Sequence, residues 1–246
     1  PLISVLIPLF NAENYIGEAI KSTLNSSCDD FELLIIDDGS IDSSKDIVYQ
    51  YSKIDKRIHY FYKPHSGLQD TLNFGIEKAR GKWISRLDND DRSSFRRLER
   101  QLYLAEQDPQ IVLVGSDANF INEKGEFIFS YSYPTSHNKL LNNLINNKAF
   151  FNHSSAFFRT KIAKSIGGYR SRVNASEDWD LWLRISQHGL ITSVPELLVD
   201  IRLHKKQMSN INGGFNTAFH SRVSLISYWF RQNQGYDPVD LLNESE

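Results

Sequence analysis

The strongest constraint on the fold is an alternation of short apolar runs with amphipathic stretches across the first hundred residues. Ile3 to Pro8 is an apolar run rich in β-branched residues and stopped by Pro8; Phe31 to Ile36 is a second, ended by Asp37-Asp38-Gly39-Ser40. Ile58 to Tyr62 and Trp83 to Leu87 read as a third and a fourth strand. After Asn11, a candidate N-cap, Ile16, Ala19, Ile20, Thr23 and Leu24 recur at helical spacing. Ile47, Val48 and Tyr51 do the same behind Asp42, and Leu68, Leu72, Ile76 and Ala79 mark a third helix. Short strands apolar throughout, flanked by amphipathic helices, predict an α/β domain with a doubly wound, mostly parallel sheet covered on both faces.

From about Gln110 the pattern changes. Ile111 to Val114 and Asn119 to Tyr133 read as strands, the latter folded back at Glu123-Lys124-Gly125-Glu126. A polar helix is expected over His137 to Asn146, then a strand near Ser155–Phe158, a break at Gly167-Gly168, and a helix from Glu177 to His188 closed by Gly189. This second half is mixed α+β. No linker-like or repeated segment divides the chain, so one domain is expected over residues 1–214, followed by a helical tail over 215–246.

Charge and cysteine content narrow the function. With 28 Lys+Arg against 30 Asp+Glu, the chain lacks the basic excess of nucleic-acid binders. One cysteine, Cys28, excludes an internal disulfide framework and a Cys-rich zinc site. No apolar run is long enough to span a bilayer, and the first residues do not resemble a signal peptide, so a cytoplasmic location is the expectation.

In open α/β sheets ligands sit beyond the carboxyl ends of the strands, and acids crowd there in this chain. Asp37 and Asp38 end the second strand; Asp88, Asn89, Asp90 and Asp91 end the fourth. Helix capping needs one such side chain, whereas three carboxylates within four residues repel one another. Oxygen ligands at i and i+2 suit Mg²⁺ or Mn²⁺ that also grips phosphate; capping stays the plain alternative. A third acidic group, Glu177-Asp178-Trp179-Asp180, opens a helix, where favourable placement on the helix dipole is the simplest account. Trp179 and Trp182 beside it would desolvate a carboxylate and offer a flat face to a sugar ring. His204 lies within Arg202-Leu203-His204-Lys205-Lys206-Gln207-Met208-Ser209, and a lone histidine is more often structural than a ligand.

Taken in order, these pieces resemble an inverting family 2 glycosyltransferase of the GT-A fold. The resemblance is carried by Ile7-Pro8-Leu9-Phe10-Asn11-Ala12, Asp37-Asp38-Gly39-Ser40, the Asn73 to Leu87 unit and Asp88-Asn89-Asp90-Asp91. It continues through His153-Ser154-Ser155, Gly167-Gly168-Tyr169, Glu177-Asp178-Trp179-Asp180 and Arg202-Leu203-His204, covering roughly residues 2–210. It implies a nucleotide-sugar half over 1–109 and an acceptor half over 110–214. Asp38 would bond the nucleobase of a UDP-linked donor, with Pro8 and Asn11 shaping the pocket. Asp88 would face the ribose or a metal-bound water, while Asp90 and His204 would ligate Mg²⁺ or Mn²⁺. Asp178 would be the general base, with Glu177, Trp179, Trp182 and His153 as sugar or acceptor contacts. The implied partners are a nucleoside diphosphate sugar and a glycan or lipid-linked glycan acceptor, in surface polysaccharide or lipopolysaccharide synthesis. Departures from the family pattern are Lys63-Pro64-His65-Ser66-Gly67-Leu68-Gln69-Asp70 and Arg92-Ser93-Ser94-Phe95.

Two other readings compete: an inactive nucleotide-sugar or glycan-binding scaffold, and a phosphatase of the haloacid dehalogenase type, whose Asp-x-Asp normally lies near the chain start. In the tail, Phe219, Val223, Ile226, Trp229 and Phe230 recur at helical spacing with Arg222 and Arg231 nearby. A stripe of this kind usually faces a core; at a membrane's inner face it would give weak peripheral contact, and it could equally join subunits.

Overall fold

Strand β1 (Ile3–Leu9) is buried along its whole length because it is paired on both edges and covered on both faces. It runs parallel to β2 (Phe31–Asp37) on one side and to β4 (Trp83–Arg86) on the other, and β3 (Ile58–Tyr62) runs parallel to β2. The computed structural model describes residues 1–173, 176–204 and 213–240, the side chains of 213–220 excepted. Alternate β1 residues enter different cores. Ile3, Val5 and Ile7 pack with α1 (Ile16–Leu24), α2 (Ser44–Ser52) and α4 (Arg97–Glu106), through Ile16, Ile20, Val48 and Leu98. Leu6 packs on the opposite face with α3 (Leu68–Lys78), α5 (His137–Ile145), α6 (Thr160–Ser165) and α7 (Glu177–Ile185), through Leu72, Ile76, Leu140, Ala163 and Leu181. This is the expected doubly wound unit, and each run was legible because it is apolar on both sides.

The second half extends the same sheet. β5 (Arg92–Ser93), β6 (Ile111–Ile121), β7 (Phe127–Tyr131), β8 (Phe157–Arg159) and β9 (Leu190–Arg202) complete, among the described residues, a nine-stranded sheet in the order β3-β2-β1-β4-β8-β6-β9-β5, with β7 on β6 off this path. Pairing here is mixed: β8 is antiparallel to β4 and β6, whereas β9 is parallel to β6. The parallel strands β1, β2 and β4 therefore end on one edge, where the acid groups gather.

Three sequence expectations need correction. Asn11 is not a helix cap: α1 starts after Tyr15, and Asn11 adopts φ +47°. Its side-chain oxygen instead accepts the Ile41 N–H at 2.9 Å. The expected gap between Ile111–Val114 and the next strand is absent, and β6 runs unbroken through Gly115-Ser116-Asp117. Gly115 interrupts the apolar pattern because the Phe151 ring occupies the place of its side chain, 2.2 Å from where a Cβ would stand. In the tail, α8 (Gly213–Gln234) buries Ser221, Ser224 and Ser227 and packs Leu225 and Tyr228 on the second core. Ile226 and Trp229, expected on the packed stripe, face solvent. Small serines let the helix approach closely, a signal that apolar periodicity cannot carry. The side chains of Phe215 and Phe219, and residues 205–209 of the basic segment, lie outside the described residues. No described helix is long and apolar enough to cross a membrane.

Candidate active site

The acid loop follows directly from β4. Fully buried Arg86 points its guanidinium at Asp88 and donates to Ser154 Oγ at 3.0 Å. Ser154 Oγ also accepts the Asp88 N–H at 2.9 Å and lies 3.0 Å from the Asp88 carboxylate, so one hydroxyl fixes both backbone and side chain of Asp88. Asp91 is buried, bonded to Ser154 Oγ and to the Arg202 N–H at 2.8 Å. Asp90 meets His204 Nε2 at 2.7 Å, although 114 residues separate them. Arg202 ties these pieces together, donating from Nε to the Asp90 carbonyl at 2.8 Å and from its guanidinium to Glu18 at 2.7 Å.

Crowding shows in the titration of the loop. Burial and the Asp88 charge push the Asp90 carboxyl above the usual range against the pull of His204. Burial, then the charges of Asp90 and Asp88, push Asp91 well above it. Ligand oxygens of Asp88, Asp90 and Asp91 lie within 4.8 Å of one another. Such a set fits a divalent cation, which would offset the repulsion. Asp91 is committed to Ser154 and Arg202, so Asp90 with His204 is the pair suited to hold the ion, and half-exposed Asp88 stands beside them.

Asp38, at the end of β2, has its own cradle. The loop after β3 wraps it, with Lys63 Nζ bonded to one oxygen and the Ser66 and Gly67 N–H groups donating at 2.9 Å each. Gly67 takes φ +99°, a conformation that a side chain would strain, to turn its N–H inward. Burial works against the Asp38 charge, yet these bonds hold its carboxyl below the usual range. Beside it the rings of Phe10 and His65 stack at 4.5 Å. Pro8, at the end of β1, accepts Asn89 Nδ2 at 2.9 Å through its carbonyl, and so links the nucleotide-side strand to the acid loop.

A cavity of about 270 Å³ connects the acid loop to α7, lined among others by Asp88, Asp91, His153, Asp178, Trp179 and Trp182. Burial pushes Asp178 above the ordinary carboxylate range, against the Trp179 N–H that it accepts at 2.7 Å. Burial and the adjacent Asp178 push Glu177 up to about 7. Glu177 is not among the residues lining the cavity. Burial, helped by Arg86, holds His153 well below its usual value, and its Nε2 shares a 2.7 Å hydrogen bond with the Tyr169 hydroxyl. Trp179 is anchored by its Nε1–H on the Leu144 carbonyl at 3.0 Å; among the described residues the buried Trp182 indole N–H has no partner.

The candidate residues thus form three adjoining groups: Asp38 with Pro8 and Asn11; Asp88 with Asp90 and His204; and Asp178 with Trp179, Trp182 and His153 on the cavity. Sequence reasoning missed Lys63, Arg86 and the bridging role of Ser154. Arg86 was discoverable, since i and i+2 share a face of an extended strand and bring it to Asp88.

An acid loop at the end of a central strand of the mixed sheet faces a carboxylate across a cavity. The sequence profile of "Glycosyl transferase family 2" matches residues 4–167. The O-antigen biosynthesis glycosyltransferase WbnJ of Escherichia coli is 34% identical over 211 residues, 83% of this chain and 81% of that relative. S. aureus TarS 1-349, solved in complex with UDP-GlcNAc, superposes with a TM-score of 0.71 at 16% identity, over 95% of this chain and 74% of TarS. Mannosyltransferase PcManGT from Pyrobaculum calidifontis, solved with GDP-Man and Mn²⁺, gives 0.68 at 17% identity, over 97% of this chain and 66% of its own. At such identities the two structures establish the fold alone. The family profile and WbnJ go further: this chain belongs to glycosyltransferase family 2.

Proposed function

We propose that this enzyme moves a sugar from a nucleoside diphosphate sugar, UDP-linked, to an acceptor hydroxyl with inversion, using Mg²⁺ or Mn²⁺. The observation that carries this reading is the shared cavity, with Asp88 on the acid-loop side and Asp178 on α7. Phosphate-side and acceptor-side carboxylates are the division of labour that an in-line displacement requires. Asp178 takes the proton of the acceptor hydroxyl as its oxygen bonds to the anomeric carbon, while the bond from that carbon to the diphosphate breaks. A positioned base of this kind contributes about 10²–10⁴-fold. Asp90 and His204 would hold a divalent cation, which would supply positive charge against the departing diphosphate. Arg86 and Ser154 keep Asp88 oriented toward the donor.

Asp38 binds the nucleobase by exchanging part of its present cradle, and the stacked pair Phe10–His65 supplies a flat neighbour for the base. Residues 1–109 form the donor half, 110–214 the acceptor half, and 215–246 the tail. The name of WbnJ supports a cell-surface glycan as product, built on a glycan or lipid-linked glycan. Exposed Ile226 and Trp229 on α8 support weak peripheral contact with the cytoplasmic face of the membrane carrying such an acceptor.

The test is nucleotide release. Purified full chain, incubated with Mn²⁺ and a panel of UDP-, GDP- and dTDP-sugars, should liberate UDP from one or a few UDP-sugars by slow hydrolysis and faster with an acceptor. Tight nucleotide-sugar binding without any release would make the chain a scaffold, and release of inorganic phosphate from phosphate monoesters would make it a phosphatase.

A further inference from the structure

Strand β7 is built unlike the rest of the sheet. Phe127, Ile128, Phe129 and Tyr131 are all exposed, and among the described residues β7 pairs only with β6. From Phe127 to Tyr133 the chain carries no charge. Exposed aromatic surface of this extent on one short strand marks a binding face more often than chance.

The register shows where this face leads. Strand alternation puts Phe129 and Tyr131 on one side, whereas the register shift at Phe120/Ile121 sets Phe127 opposite Ile121. Phe129 pairs with Phe120 on β6, and Phe120 pairs in turn with Ile201 on β9, which lines the cavity. The rings of Phe129 and Phe120 stack at 4.4 Å and 11°, and Phe120 packs on Ile201 and Val199. A second route follows the strand itself. Tyr131 lies 4.9 Å from the Tyr133 ring, and the Tyr133 hydroxyl donates to Asn152 Oδ1 at 2.7 Å; Asn152 also lines the cavity. From Phe129 to Tyr133 the track is about 13 Å long.

Its chemistry selects the occupant. The ring face carries the phenol of Tyr131 as its polar group, while Ser130, whose Oγ donates to Asn119 Oδ1 at 2.9 Å, and exposed Ser132 stand on the strand's other side. An acidic polymer would need cations that the strand lacks, and an alkyl chain would leave the Tyr131 phenol unanswered. A pyranose matches both parts, with an apolar C–H face for the rings and a rim of hydroxyls for the phenol. We infer that the β6–β7 hairpin is an extended acceptor platform, holding a saccharide chain by ring stacking while its reacting end enters the cavity past Ile201 and Asn152. This assignment rests on the transferase reading above and extends it to the substrate class: an uncharged oligosaccharide, not a single sugar.

The experiment compares the full chain with a Phe129→Ala/Tyr131→Ala variant on an array of bacterial-surface oligosaccharides, with UDP affinity and melting temperature measured alongside. Trisaccharides and longer chains should be retained over the corresponding monosaccharides. The variant should hold them about tenfold more weakly, the loss expected for two stacking rings, with UDP affinity unchanged and the melting temperature lowered only by the lost cross-strand ring contacts. No preference for longer chains, or equal retention by the variant, would overturn the platform. So would a variant that keeps its glycan binding but loses self-association in sedimentation or flotation with phosphatidylglycerol vesicles, since β7 would then serve a second copy or a lipid surface. If the unaltered chain bound UDP but no oligosaccharide, the platform alone would fall; if it bound no UDP, the transferase reading would fall and take the platform with it.

Discussion

Asp178 and Asp180 stand two residues apart on α7 and do opposite work. Asp178 lines the cavity with a carboxyl raised by burial, whereas Asp180 is fully buried and accepts from the guanidinium groups of Arg170 and Arg184, the latter at 2.9 Å. Arg170 also reaches Asp237 at 2.7 Å, and Asp237 is bonded to Arg231 of α8. One helix thus presents the proposed base and, from the same turn, anchors the end of the tail.

The first prediction concerns the base. Asp178→Asn should lower kcat by about 10²–10⁴-fold while UDP affinity, measured by calorimetry, stays within about twofold, because the lost contact belongs to the transition state. Near-normal turnover would move the role to another group.

The pH profile tests which group that is. A raised carboxyl stays protonated to higher pH, and a base must be ionised, so kcat/KM should climb with pH through a limb above the ordinary carboxylate range. Burial and the neighbouring Asp178 push the Glu177 carboxyl up to about 7. In Glu177→Gln the acid limb should persist if Asp178 is the base. Its disappearance would assign the proton transfer to Glu177.

Metal dependence should follow the pair Asp90–His204. Chelation of the full chain should abolish turnover and added Mn²⁺ should restore it, whereas Asp90→Asn should demand a far higher Mn²⁺ concentration for half-maximal rate. Turnover undiminished by chelator would remove the cation from the mechanism.

Asp180 offers a stability test separate from chemistry. Asp180→Ala leaves Arg170 and Arg184 without their shared carboxylate in a buried setting, a change that costs about 3–5 kcal/mol. Thermal and urea melts should show this loss. A loss below about 1 kcal/mol would mean that the guanidinium groups find water or other acceptors.

How legible these features were depended on how each residue is surrounded. Strands β1 to β4 announce themselves because the strands between α1, α2 and α3 carry apolar side chains into both cores. The Asp88–Asp91 and Glu177–Asp180 groups were visible as clusters, but sequence could not sort their members. Asp91 and Asp180 differ from Asp90 and Asp178 only in which guanidinium, hydroxyl or amide the folded chain brings to them. Strand β7 could be seen as a strand, yet its exposure on both faces is invisible to a pattern that assumes one side is covered. The serine face of α8 was hidden for the converse reason: it is buried and polar, so apolar spacing pointed to Ile226 and Trp229 instead.

One feature of the sheet shapes how the acid loop responds to change elsewhere. β4 lies inside the sheet and β5 at its far edge, with β8, β6 and β9 between them, yet only the residues from Leu87 to Asp91 join them in the chain. The loop is therefore a covalent tie-rod across the mixed half of the sheet, pinned at one end by β4 and at the other by the pairing of Arg92 with Asp200 and Ser93 with Val199. Ser154 and Arg202 hold its carboxylates locally, and the spread of β8 and β6 sets the span over which the loop is stretched. A substitution that widens the stack at β8 or β6 would pull those acids apart without touching them, making the packing of Phe157 and Val114 a remote adjustment screw for the proposed cation site.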